Sequence, residues 1–278
     1  MSKVETNEAA RRSSSLVDPK TLMRIKSLEL RAKLVMEGFW NGLHRSPYHG
    51  FSVEFTEYRQ YSPGDDPRYL DWKLYARTDK YYVKRFEDET NLRCYLLVDR
   101  SASMDFGSLD YTKADYSVTL AATFAYFLSM QRDAVGLMTF ADGVQEFIGA
   151  RYRPGHLRRL MLALERSVEA NATDLVAPLE QAAELVKKRG VVVFITDFLA
   201  PTDELETRLG ALTARGHEVV LFHVLDPAEV NFNFTQPALF EDLETGKQLY
   251  VDPAAARDTY LRRLKEHFSR VQNACDKL

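Results

Sequence analysis

A chain of 278 residues that is 45% hydrophobic, with 10 prolines and 13 glycines, can bury a large core and is neither fibrous nor disordered. A formal net charge of -3 gives no global attraction for nucleic acid. Cys94 and Cys275, far apart in the sequence and with the first inside an apolar run, fit neither a disulfide framework nor a C-x-x-C metal site, and suit a reducing compartment.

Residues 1–17 carry no apolar h-region and read as a tail without fold rather than a targeting signal. From Pro19 to Trp40, apolar residues at Leu22, Ile25, Leu28, Leu30, Leu34 and Val35 recur at helical spacing, with Asp18 as N-cap and Pro19 at the first helical position, so one amphipathic helix with a solvated basic face is predicted. Two short strands, Phe51–Tyr61 and Tyr81–Phe86, are expected around a turn at Ser62–Pro67 and a short helix near Arg68–Ala76. Charges such as Glu54, Arg59, Asp65, Asp66, Asp71 and Arg77 are mixed with aromatics here, which suits either a self-paired Arg–Asp network or a binding surface. Residues 18–91 therefore read as an N-terminal helix and a β-rich extension, and 92–278 as the main domain.

Strands and helices then alternate. The apolar run Cys94–Val98 ends in Asp99, and a helix over Asp110–Met130 follows that is apolar nearly all round. Its longest uncharged stretch, Tyr116–Met130, is too short and too hydroxylated for a membrane span, so a soluble cytoplasmic protein is expected. Strand Ala134–Phe140, an edge strand Val144–Ile148, helix Pro154–Val168 and a loop at Asn171–Asp174 come next. A helix ending near Arg189 with Gly190 as its stop leads to strand Val191–Thr196, which ends in Asp197. Helix Asp203–Ala214 with a stop at Gly216, strand Glu218–Leu225, an acidic hairpin over Asp242–Val251 and a helix from Pro253 to about Asn273 complete the order. This alternation predicts an α/β fold, a doubly wound and mostly parallel sheet with helices on both faces.

The chemistry gathers at strand ends. Asp99, Ser101 and Ser103 follow the first strand of the alternation, Thr173 precedes a helix, and Asp197 follows a second buried strand. In a doubly wound sheet such loops open on one edge, so five oxygen ligands can converge. None is His or Cys, which favours Mg²⁺, with Mn²⁺ or Ca²⁺ possible, over zinc or copper. The bland alternative makes Ser101 and Ser103 turn formers and Asp197 an N-cap.

At these residues, V-D-R-S-A-S-M, the loop Thr173 and I-T-D at Ile195–Asp197, the chain resembles the von Willebrand factor A-like fold with its metal-ion-dependent adhesion site. The block from Glu54 to Arg77, E-F-T-E-Y-R-Q-Y-S-P-G-D-D-P-R-Y-L-D-W-K-L-Y-A-R, is similar to the bacterial family called domain of unknown function 58. The resemblance implies a non-enzymatic partner-binding protein that works with a MoxR-type AAA+ ATPase in maturation or assembly of a client. It implies that Ser101, Ser103 and Thr173 contact the metal and that Asp99 and Asp197 hold its waters and charge, with an acidic side chain of the partner as a further ligand. The alternative is a metal-dependent phosphotransfer or hydrolytic enzyme with Asp99 as nucleophile, but the second acid of a D-x-D pattern is Ser101 here. Nucleic-acid binding through Tyr58, Arg59, Trp72 and Arg77 is opposed by the interleaved acids.

Overall fold

The computed structural model describes residues 19–44, 58–62, 70, 72–84, 92–166, 176–199 and 204–277. They fall into two compact units, Met1–Asn41 with Asn91–Leu278, and Gly42–Thr90. The first helix thus groups with the main domain and not with an extension spanning 18–91.

The single amphipathic helix expected at the start is two: α1 (Pro19–Met23) and α2 (Leu28–His44). The break has a local cause, since the Ser27 hydroxyl accepts from Leu30 N at 3.3 Å and the Ser27 carbonyl accepts from Arg31 N, which starts a new helix. Along α2, Leu28, Ala32 and Met36 are buried at four-residue spacing, whereas Leu30 is exposed. The expected cap Asp18 lies outside the described residues.

In the unit 42–90, β1 (Tyr58–Gln60) pairs antiparallel with β2 (Tyr82–Lys84), and α3 (Trp72–Thr78) lies between them in sequence. The Tyr75 and Tyr81 rings stack at 4.4 Å. The expected strand residues 51–57 and 85–86, and most of the charged block between the strands, are outside the described residues.

The main unit is built on β3 (Arg93–Asp99), α4 (Lys113–Met130), β4 (Ala134–Phe140), β5 (Val144–Arg151), α5 (His156–Leu164), α6 (Val176–Leu185), β6 (Val191–Thr196), α7 (Leu205–Ala214) and β7 (Glu218–His223). A short helix α8 (Pro227–Asn231), the hairpin β8 (Ala238–Glu241) and β9 (Gln248–Val251), and α9 (Pro253–Asp276) follow. The sheet order is β5-β4-β3-β6-β7, parallel except for the antiparallel edge strand β5. This is the α/β, doubly wound, mostly parallel arrangement expected.

Strand alternation feeds both faces of the sheet. Cys94, Leu96 and Val98 of β3, with Val193 and Ile195 of β6, pack with Leu28, Ala121, Ala122 and Ala125 on one side. Tyr95 and Leu97, with Val192 and Phe194, pack with Leu179, Ala182, Leu209 and Leu212 on the other. The apolar helix α4 is therefore a buried layer, and among the described residues no helix is long and apolar enough to cross a membrane.

Two glycines act differently. Gly216 follows α7 at φ +83°, the left-handed stop expected. Gly190 is no such stop: α6 ends at Leu185, and a side chain at 190 would meet the Arg93 carbonyl, so this glycine permits close approach of its loop to β3.

Candidate functional site

Asp99 ends β3 and Thr196 ends β6. The register pairs Val98 with Ile195, so these two end residues lie side by side, and alternation turns them to the same face. The Thr196 hydroxyl donates to Asp99 Oδ2 at 2.5 Å, and Ser101 N donates to Asp99 Oδ1 at 2.9 Å. Asp99 is 0% exposed. Burial, with the charge of Asp197 adding to it, pushes its carboxyl up to about 6, against the lowering effect of the bonds from Thr196 and Ser101.

Ser101 precedes a short 3₁₀ turn, Ala102–Asp105, but its hydroxyl makes no capping bond there. Instead Ser101 Oγ and Ser103 Oγ lie 3.1 Å apart. The intervening Arg100 turns away and donates to the carbonyls of Leu164 at 2.8 Å and Arg166 at 3.1 Å, which ties the motif to the end of α5.

Asp197, one residue past β6, is also 0% exposed, and alternation carries it to the other face, toward α4. Its Oδ1 accepts from Leu199 N at 3.1 Å, a local turn bond of the kind the bland reading expects. Its Oδ2 accepts from Lys113 Nζ at 2.8 Å. Phe198 follows at φ +52°, a conformation bulky residues rarely hold, fixed by ring contacts with Phe194 at 5.7 Å and His223 at 5.3 Å.

Four of the five predicted ligands are thus placed: Asp99, Ser101 and Ser103 form one cluster, and Asp197 lies near enough for its charge to act on Asp99. Thr173 lies outside the described residues. Among the described residues no three His, Cys, Asp or Glu side chains gather as a metal cluster, and the strand-end acids are two, Asp99 and Asp197, beside the Ser101 and Ser103 hydroxyls. The donor set fits a hard divalent cation on chemistry: two buried carboxylates, one with no cationic partner among the described residues, beside a hydroxyl pair.

Sequence reasoning missed Lys113. It opens α4, is 3% exposed, and bridges Asp197 and Glu229, the latter at 2.7 Å. Glu229 Oε2 accepts from Asp226 N at 2.8 Å in the capping box of α8. Asp226 accepts from Ser108 N at 2.8 Å and from Ala228 N at 2.7 Å. Burial pushes the Asp226 carboxyl up, but the bonds from Ser108 and Ala228 and the charge of Lys113 together outweigh it and hold the group below its usual range. A cavity of about 260 Å³ opens beside this network, between Thr112, Tyr116, His223 and Pro227.

A parallel sheet with one antiparallel edge, carrying acids and hydroxyls on the loops beyond its strand ends, defines a doubly wound α/β domain. The chain belongs to the family described as "Protein of unknown function DUF58", which matches residues 57–270. An uncharacterized protein of Mycobacterium bovis is 31% identical over 255 residues, covering 90% of this chain and 80% of the relative. Among solved structures, an aerotolerance-related membrane protein from Bacteroides fragilis aligns at TM-score 0.42 and 16% identity, over 62% of this chain and 87% of that one. The conserved hypothetical protein BatB from Bacteroides thetaiotaomicron aligns at TM-score 0.41 and 11% identity, over 66% of this chain and 99% of that one.

Proposed function

We propose that this chain is a metal-dependent protein-binding module of the cytoplasm that docks a client together with a MoxR-type AAA+ ATPase. The observation that supports it is the placing of two fully buried carboxylates, Asp99 and Asp197, at neighbouring strand ends beside the Ser101 and Ser103 hydroxyls. Buried carboxylates are costly unless neutralised, and a set of hard oxygen donors selects Mg²⁺, with Mn²⁺ or Ca²⁺ suiting the same atoms. In this reading Asp99, Ser101, Ser103 and Asp197 hold the ion together with Thr173, and a bound Mg²⁺ supplies a positive centre for an acidic side chain of the partner.

The same geometry argues against Asp99 as a nucleophile. Its carboxylate is enclosed and both oxygens are engaged, by Ser101 N and the Thr196 hydroxyl. The test is a pull-down of the ATPase and its associated proteins in Mg²⁺ or in EDTA, with wild type, Asp99→Ala and Ser101→Ala. Recovery is expected only for wild type in Mg²⁺, and equal recovery in all arms overturns the reading.

A further inference from the structure

A buried lysine beside a cation site is an unusual neighbour. Lys113 occupies the first position of α4, where the helix dipole disfavours a positive charge. Of the 18 residues of that helix, only Asp115 is otherwise charged. The ammonium nevertheless lies fully inside, within 2.8 Å of Asp197 Oδ2 and 2.7 Å of Glu229 Oε1. Stability is a poor explanation, since a buried ion pair is often matched or bettered by apolar residues of similar volume. What the lysine does uniquely is place its ammonium against one of the two acids of the candidate cation site.

We propose that Lys113 is a built-in competitor for Asp197 that sets the affinity of the cation site, with Glu229 as the carboxylate that draws the ammonium away. The proposal rests on the metal-binding reading of Asp99 and Asp197 and deepens it. Lys113 and a divalent cation share one carboxylate, Asp197, and repel each other. Each therefore weakens the other's hold on it by the same factor. Glu229 supplies the alternative seat. It is held in place by the Asp226 N bond and by Tyr260, whose hydroxyl donates to the Glu229 carbonyl at 2.9 Å, so the ammonium can shift its weight to Glu229 without losing all countercharge.

The consequence is a pair of effects opposite in sign. Removing the lysine charge frees Asp197 for the cation, whereas removing the Glu229 charge leaves the ammonium with Asp197 alone. A purely structural ion triad would give no such opposition, because breaking either arm would loosen the same loops.

The experiment titrates Mn²⁺ alone into the full chain by calorimetry, comparing wild type, Lys113→Met and Glu229→Gln. Glutamine retains the acceptor for Asp226 N that caps α8, so Glu229→Gln tests the proposal with the local fold kept. Lys113→Met is expected to bind Mn²⁺ at least about tenfold tighter, because removing a neighbouring unit charge at an effective dielectric of about 20 is worth that factor or more. Glu229→Gln is expected to bind roughly fivefold weaker on the same grounds. Unchanged or weaker binding by Lys113→Met, or unchanged or tighter binding by Glu229→Gln, overturns the role of Lys113 while leaving the cation site standing. Failure of all three proteins to bind Mn²⁺ refutes the cation site itself.

Discussion

Asp99→Asn should make the cation-free protein more stable. In the unfolded chain the carboxyl titrates near 3.8, and in the folded chain burial pushes it up to about 6. The protonated acid therefore suits the fold, and that contribution is lost as pH rises through about 6. The difference, at about 1.4 kcal/mol per pH unit, penalises folding by roughly 3 kcal/mol above pH 7. Asparagine keeps the shape and can still accept from Ser101 N. Its amide N–H₂ then meets Thr196, whose hydroxyl must turn from donor to acceptor, at a cost of about 1 kcal/mol. The net gain is about 2 kcal/mol at pH 7.5, or about 4–8 °C in Tm for a chain of this size. Urea and thermal unfolding in EDTA would measure it. The wild-type penalty should fall to about half by pH 5 and about a fifth by pH 4, so the gap between the two proteins must close on acidification. A variant no more stable than wild type at pH 7.5, or a gap independent of pH, would refute the reasoning.

Three further outcomes follow from the packing. Phe194→Ala should cost about 3–5 kcal/mol in urea unfolding, because its buried ring is stacked on Phe140 at 5.2 Å and tilted against Phe198 at 5.7 Å. Gly136→Ala should cost about 1–3 kcal/mol, since the new methyl would sit 2.8 Å from Ala150 N and from the Tyr95 ring, in the interior of β4. His223 and His267, ring centroids 6.0 Å apart, are both held below the usual imidazole range, first by burial. The unfolded chain takes up protons on these rings before the folded one does, so stability falls as pH drops below about 6.5, and His267→Phe should flatten that acid limb in a pH series of Tm values.

Much of the sheet was legible because its strands announce their own ends. β4 and β6 fall on the expected residues and β3 extends the expected run by one at each end, since an apolar run stopped by aspartate leaves little freedom. Helix ends were harder. Periodicity runs straight through Ser27, and only the capping geometry shows that one helix stops there and another begins. Gly190 reads in sequence as a helix stop, yet what selects it is the Arg93 backbone, a neighbour that sheet pairing alone supplies. The helix α8 was missed, although Asp226-Pro227-Ala228-Glu229 carries a capping box with proline at the first position.

The candidate site divides along the same line. Asp99, Ser101 and Asp197 follow strands, so their sequence positions already locate them at one sheet edge. Lys113 reaches Asp197 and Glu229 across 84 and 116 residues, and no spacing rule connects them. A signal was nevertheless present. Thr112 and Asp115 form a capping box that fixes Lys113 as the first residue of an otherwise apolar helix. A positive charge at that end of a buried helix is disfavoured by the dipole and by desolvation, so it can persist only against acids brought in from elsewhere. With β6 ending toward the same face, Asp197 is the acid that the fold delivers there. A charge that opposes its own local structure is thus a guide to a distant partner, and here it leads to the buried Asp197.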